Sequence, residues 1–348
     1  MHKKQILNGV TMVHNGVSRK RFLSVLSIVS LLFLGCGALS PESTETKYTV
    51  TYDGNGNDGG VPPSPQTVGH EGGSITLDSN TFKMVRTGFI FVGWNTEANG
   101  KGTSYAEGST YNVNSNVTMY AEWIPKWVDN GTTLIDPDGN TYNTVVIGKQ
   151  RWTVENLKTT RYADCTPIYY EFRFQWGQYS SPAFTMMDYT KPDEGTVYNY
   201  YAIADTNTKN IAPQGWRVPT DYDWTTLQDY LITNGYNWDG SSSGNKIAKS
   251  LASNTEWDTA VSFGEGKIGI DLSKNNRSGF TALPHGAIQP SGGLDFPDRY
   301  RGAYWWSSTQ SGSDNAYYRS LNFINEGLLR GDIHKGAGMS VRLVSDVE

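Results

Sequence analysis

Hydrophobic and polar positions alternate through Tyr48-Thr49-Val50-Thr51-Tyr52 and again through Val117-Thr118-Met119-Tyr120-Ala121-Glu122-Trp123. A period of two predicts half-buried β-strands. The turn string Asp53-Gly54-Asn55-Gly56-Asn57 ends the first run. Leu134 to Tyr142 reads as a strand and tight turn around Asp136-Pro137-Asp138-Gly139-Asn140, and Val145 to Trp152 as the answering strand. One segment has a different period. Trp224, Leu227 and Leu231 recur at i, i+3 and i+7, which predicts a helix with one apolar stripe. Its start is well signalled: Pro219 fixes its own φ and pushes Val218 toward extended backbone. Thr220 is then the N-cap, Asp223 stands in the capping-box position, Asp221 complements the positive helix end, and Asn234-Gly235 supplies the stop. Trp216 and Trp224 are read as core residues. From Asn254 to Tyr304 the chain is rich in Gly, Asn and Pro, which predicts a long irregular region.

The N-terminal pattern gives an address. His2-Lys3-Lys4 and Arg19-Lys20-Arg21 precede an apolar run of about thirteen residues from Phe22 to Leu34. That is short for a membrane span and suits the h-region of a signal peptide. The long n-region makes Met12 an alternative start. Ser40 to Thr46 reads as a tether whose role is spacing.

Composition narrows the function. Aromatic residues make up 13% and charged residues 18%, with 38 glycines, a balance of loop-rich β structure. The net charge is −5 and no basic run interleaves with aromatics, so no nucleic acid partner is expected. There are two cysteines; if Cys36 carries lipid, Cys165 is the only thiol left, and no intramolecular disulfide or Cys-based zinc site is possible.

Metal and catalytic patterns are thin. The two Asp-rich turn strings look like EF-hand openings, but Gly is misplaced, and Ile147 and Ser64 stand where a Glu is required. His70, His285 and His334 lie at no metal or Ser-His spacing and are read as solvated or loop histidines. Gly264-Glu265-Gly266 does not sit between a strand and a helix, as a phosphate loop would. Asp295, Asp298 and Asp314 lie in presumed loops, where a glycosidase-like pair is the lower-ranked alternative. No cofactor and no metal are expected.

Three resemblances complete the reading. Phe33-Leu34-Gly35-Cys36 resembles a bacterial lipobox, with Phe33 where Leu is usual; it implies a signal peptide over 1–35, lipidation of Cys36 and a tether over 36–46. Residues 47–125 resemble the Listeria-Bacteroides (internalin B-type) repeat, through Val50-Thr51-Tyr52-Asp53, Gly93-Trp94 and Tyr120-Ala121-Glu122-Trp123. That resemblance implies a small β-grasp-like module. Residues 128–348 resemble the Fibrobacter succinogenes major paralogous domain. Six blocks carry it in order: Trp152 to Leu157, Val197 to Ala204, Gly215 to Trp224, Ser278 to Pro284, Tyr304 to Thr309 and Ser340 to Val344. It implies an α+β, C-type-lectin-like domain with long irregular loops, akin to the sulfatase-modifying factors. Many relatives carry Cys in place of Ala212 and Leu343, consistent here with loss of one disulfide as a unit. The cysteines of the sulfatase-modifying enzymes, and the Glu-Pro-Asn and Trp-Asn-Asp strings of calcium-dependent lectins, are absent, so any sugar binding is expected to need no calcium.

Sugar rings stack on aromatic faces while neighbouring polar groups meet their hydroxyls. Trp238, Asp298, Tyr300, Arg301, Tyr304 and Asn315 are the ligand-binding candidates on that basis. Trp305 and Trp306, like Tyr317 and Tyr318, alternate on a strand, so one of each pair faces the core and only the other is available for exposure. The expectation is a non-enzymatic cell-surface lipoprotein for adhesion, binding polysaccharide or a surface-protein ligand. It would be exported and held by its N-terminal lipid at the cell envelope, at the outer membrane or cell surface. The alternative is a structural envelope or display protein; a carbohydrate-active enzyme ranks lower.

Overall fold

The alternating runs become strands. In the computed structural model, residues 47–69, 71–172, 176, 180–186, 196–204, 209–259, 264–290 and 299–347 are described. Cys36, His70, Asp295 and Asp298 lie outside them. The first module is a sheet of β1 (Lys47–Asp53), β2 (Gln66–Gly69), β4 (Phe89–Asn95), β5 (Ser104–Tyr105) and β7 (Val117–Pro125), beside a pair formed by β3 (Gly73–Thr76) and β6 (Thr110–Val113). Its order is β2-β1-β7-β4-β5, with β1 and β7 parallel at its heart. The inward residues of the alternation, Val50, Tyr52, Met119 and Ala121, are buried with Trp94, Leu77, Met84 and Val113. At Gly93 the register shifts; φ is +143° and a Cβ would lie 2.2 Å from the Tyr105 carbonyl oxygen, so only glycine fits.

The rest of the chain has separate cores. An antiparallel sheet runs β18-β11-β10-β9-β8, from β8 (Val128–Asp129), β9 (Thr133–Ile135), β10 (Thr141–Ile147), β11 (Gln150–Thr153) and β18 (Val344–Asp346). Two three-stranded sheets follow: β12 (Tyr169–Tyr170), β13 (Ala183–Met186) and β14 (Thr196–Tyr198), then β15 (Gly302–Gln310), β16 (Asn315–Asn322) and β17 (Leu329–His334). Helices α1 (Tyr200–Ile203) and α3 (Ala248–Leu251) are single turns, so α2 (Asp221–Thr233) is the one long helix among the described residues.

The α+β, C-type-lectin-like expectation is therefore corrected. Eighteen strands stand against three short or medium helices among the described residues, an architecture that is mostly β. Short aromatic and β-branched runs bounded by Gly and Asn turns dominate the chain, and the helix-opening string sets only its own segment. The β-grasp-like expectation for the first module is corrected with it, because Lys47–Pro125 carries no helix among its described residues.

Helix α2 forms where its signals stand. The Thr220 hydroxyl accepts from the Asp223 N–H (3.1 Å) and the Asp223 carboxylate accepts from the Thr220 N–H (2.9 Å), a complete capping box. Trp224, Leu227 and Leu231 are buried, and Trp216 is buried with its indole N–H on Asp129 (2.9 Å). Arg217 bonds Asp223 through two nitrogens (2.6 and 3.0 Å), and Arg319 and Arg330 both meet Asp221.

Strand β15 leaves neither of its tryptophans exposed. Trp305 and Trp306 are both fully buried, because one face of β15 packs against Trp152, Trp224 and Phe280 and the other against Tyr198, Tyr200 and Leu343. A strand between two cores has no wet face. Tyr317 and Tyr318 on β16 are both half-buried. Arg342 is buried too. It donates to the Asn156 side chain and to the carbonyls of Thr153, Phe280 and Thr281, stacks on Phe280, and is pushed down to about 9 by burial.

Candidate functional site: a cleft at Trp238

Beyond α2 the chain turns at Gly235 (φ +74°) and reaches Trp238. Asn237 ties this loop together: its amide donates to the Ser241 carbonyl (2.8 Å) and its carbonyl oxygen accepts from the Lys246 N–H (3.0 Å). The Trp238 indole is 38% exposed but held in place. Its edge lies against Gly266, where a Cβ would come within 2.2 Å of Nε1, so glycine at 266 makes the seat. The indole N–H donates to Glu326 (3.2 Å), which also receives Lys267 (2.9 Å). Those two donors, Lys267 first, hold the Glu326 carboxyl below the usual glutamate range.

Trp238 forms one wall of a cleft of about 180 Å³. Lys249, Lys274 and Arg277 line it, with Ser250 and a single acid, Glu265. Lys249 is buried at the base, where its ammonium donates to the carbonyls of Lys267 (3.1 Å), Ile270 and Asp271 (3.3 Å), and burial pushes its pKa down. Arg277 gives one N–H to the Gly235 carbonyl (2.7 Å) and lies over the Tyr236 ring at 5.0 Å. Lys274 is exposed and only loosely paired with Asp271 (3.4 Å).

The other sequence candidates are spread out. Tyr300 and Arg301 sit just before β15; Tyr300 is exposed at φ +68°, and Arg301 donates to Asp258 (2.6 Å). Asn315 begins β16 at the far end of the same hairpin, roughly 25 Å away by strand rise, with its amide on Asp332 (3.0 Å). Tyr304 is half-buried against Tyr318, ring centroids 6.1 Å apart. Trp238 is thus the sequence candidate that lines this cleft. His285 is buried in its loop, 3.8 Å from Glu256, and the exposed His334 accepts the Gly336 N–H (3.0 Å).

At two other places the polar side chains are engaged by the chain's own bonds. Asp136 accepts from the N–H groups of Asp138 and Asn140, the Asn140 amide and the Tyr142 hydroxyl (2.6 to 2.9 Å), and Asp138 takes Thr160 and Arg161, so this string is a turn. Among the described residues no three His, Cys, Asp or Glu side chains gather as a metal site. A cleft of about 600 Å³ lies beside β4 and β7, lined by Phe91, Tyr105, Ile124, Arg161 and Cys165. There Arg161 is bound to Asp138 and the Cys165 carbonyl, and the buried Cys165 thiol faces the Pro125 carbonyl (3.8 Å).

The description Fibrobacter succinogenes major domain matches residues 145–345, more than half of the chain. The chain belongs to the Fibrobacter succinogenes major domain family. The Listeria-Bacteroides repeat domain matches residues 48–122. Two proteins of Evansella cellulosilytica are similar over short stretches. One, provisionally named a Gly-rich membrane protein, is 40% identical over 78 residues, which is 22% of this chain and 9% of its own length. The other, provisionally named a membrane protein, is 36% identical over 77 residues, 22% of this chain and 11% of its own. The chain thus covers about a tenth of these curated relatives. No solved structure matches. The matches fit a cell-surface protein associated with the cell envelope.

Within the Fibrobacter succinogenes major domain, the aromatic and basic residues of the sequence blocks are largely scaffold: Trp152, Trp216, Trp224, Trp305, Trp306 and Arg342 are all buried. Sequence reasoning found Trp238 but missed Lys249, Lys274, Arg277 and the seat at Gly266. The available signal was the pair of glycines around Glu265. Gly264 takes a positive φ (+88°) and Gly266 stands where the chain passes close to the Trp238 indole, reasons for glycine other than phosphate binding.

Proposed function

We propose that this protein is a non-enzymatic cell-surface lipoprotein, anchored through Cys36, that binds polysaccharide through its Fibrobacter succinogenes major domain in adhesion. One observation carries this reading: the Trp238 indole is open to solvent, fixed by Gly266 and Glu326, and borders a cleft of charged and hydrogen-bonding side chains. An indole face with polar neighbours is the arrangement that holds a sugar ring. Binding would not need calcium, since the oxygens of Asp136 and Asp138 are engaged by their own chain.

The test is a glycan array probed with the detergent-solubilised full chain, with and without chelator. Binding that survives chelation is the expected result. Silence across the array would leave a structural display protein as the better reading, and loss of binding in chelator would overturn the calcium argument.

A further inference from the structure

We infer that the Trp238 cleft takes one ring of an acidic saccharide, a pyranose carrying a carboxylate or sulfate, with the ring on the indole and the acid toward Arg277 and Lys274. This rests on the polysaccharide reading and names its substrate class. The first support is charge. The chain as a whole carries −5, yet this cleft is lined by three cations and one acid, Glu265. Lys249 is locked by backbone carbonyls and contributes a fixed positive field at the base. Arg277 and Lys274 are different. Arg277 commits one of its five donors to Gly235, stacking on Tyr236 orients its plane, and Lys274 stands exposed at 3.4 Å from Asp271. A planar fork and an exposed ammonium lining one cleft match a carboxylate or sulfate.

Size is the second support. At about 180 Å³ the cleft falls below the roughly 300–1,000 Å³ of drug-sized sites, so it admits a single ring. Geometry supplies the third. The indole edge rests on Gly266 and its N–H is bound to Glu326, so the platform is set before a ligand arrives. A neutral sugar would use the indole and leave Arg277 with only the Gly235 carbonyl and the Tyr236 ring as partners.

The experiment measures binding of the full chain to alginate and polygalacturonate (carboxylate), dextran sulfate (sulfate) and dextran (neutral), at low and high salt. The wild type is expected to bind at least one acidic polymer, more weakly at high salt, and dextran at least tenfold more weakly. K274Q/R277Q should weaken acidic-polymer binding about tenfold or more, the scale of two charge-assisted contacts. W238A and G266A should also weaken it. K101Q/K149Q, which removes the same charge from exposed positions elsewhere, should leave it unchanged. Carboxylate against sulfate is decided by which acidic polymer responds to K274Q/R277Q. Dextran bound as tightly as the acidic polymers, or an equal loss in K101Q/K149Q, overturns the acid preference while the polysaccharide reading survives. No binding to any polymer, with nothing on the glycan array, defeats both.

Discussion

The two ends of α2 carry similar side chains in opposite arrangements. At the N-terminal end, where Trp224 is fully buried, Arg217, Arg319 and Arg330 are matched in number by Asp221, Asp223 and Asp346, and each carboxylate meets a guanidinium. Past the C-terminal end, Lys249, Lys274 and Arg277 surround Trp238, cations outnumber acids, and the indole is open. A tryptophan among charges is scaffold where the charges close on each other, and a candidate site where one sign is left in excess beside an exposed ring.

The strongest way to break this contrast is Trp224→Ala. It removes a ring that touches Trp152, Phe280 and Trp305, and should cost about 3–5 kcal/mol in urea unfolding. A loss below about 2 kcal/mol would mean that this end is not core. Next in size is Asp223→Ala, which opens the capping box and should cost about 1–2 kcal/mol at neutral pH. Burial pulls the Asp223 carboxyl upward, but Arg217 and Thr220 outweigh it and hold it below 3.8. The stabilisation is then fully present above pH 3.8 and fades as pH falls through the lower folded value. The gap between wild type and variant should narrow in that acid window, and a gap constant with pH would contradict the ion-pair account.

Trp238→Ala should lower stability by only about 1 kcal/mol while preserving the far-UV circular dichroism spectrum. If it unfolds the chain as Trp224→Ala does, the two ends are alike after all. The smallest effect belongs to Gly266→Ala, where the added methyl meets the Trp238 indole. The Trp238 indole N–H resonance should move in a nitrogen-15 correlation spectrum, with those of Trp152, Trp224 and Trp305 in place. An unmoved Trp238 signal would refute the seat.

What could be read from the chain was local. The capping box, the stop at Asn234-Gly235 and the β1 and β7 alternations depend on neighbours a few residues apart. The two-sided burial of β15 does not: alternation assumes a wet face, and only the distant arrivals of Phe280 and Tyr198 remove it. The fold class failed for the same reason, since a helix-opening string is local whereas the layering of sheets follows from long-range pairing. Trp238 could be named because it follows a helix stop. Lys249, Lys274 and Arg277 could not, because α3, the short 3-10 turn at Leu272–Lys274 and the loop after it meet Trp238 only in space.

The parallel pairing of β1 with β7 has a mechanical meaning. Val50 lies beside Val117 and Asp53 beside Tyr120, so the two strands run the same way, and the chain enters at the start of β1 and leaves at the end of β7. Tension between residues before Lys47 and residues after Pro125 therefore pulls the strands past each other along their length. Their hydrogen bonds are loaded together in shear and not peeled one at a time, the geometry suited to a module that carries force along its chain.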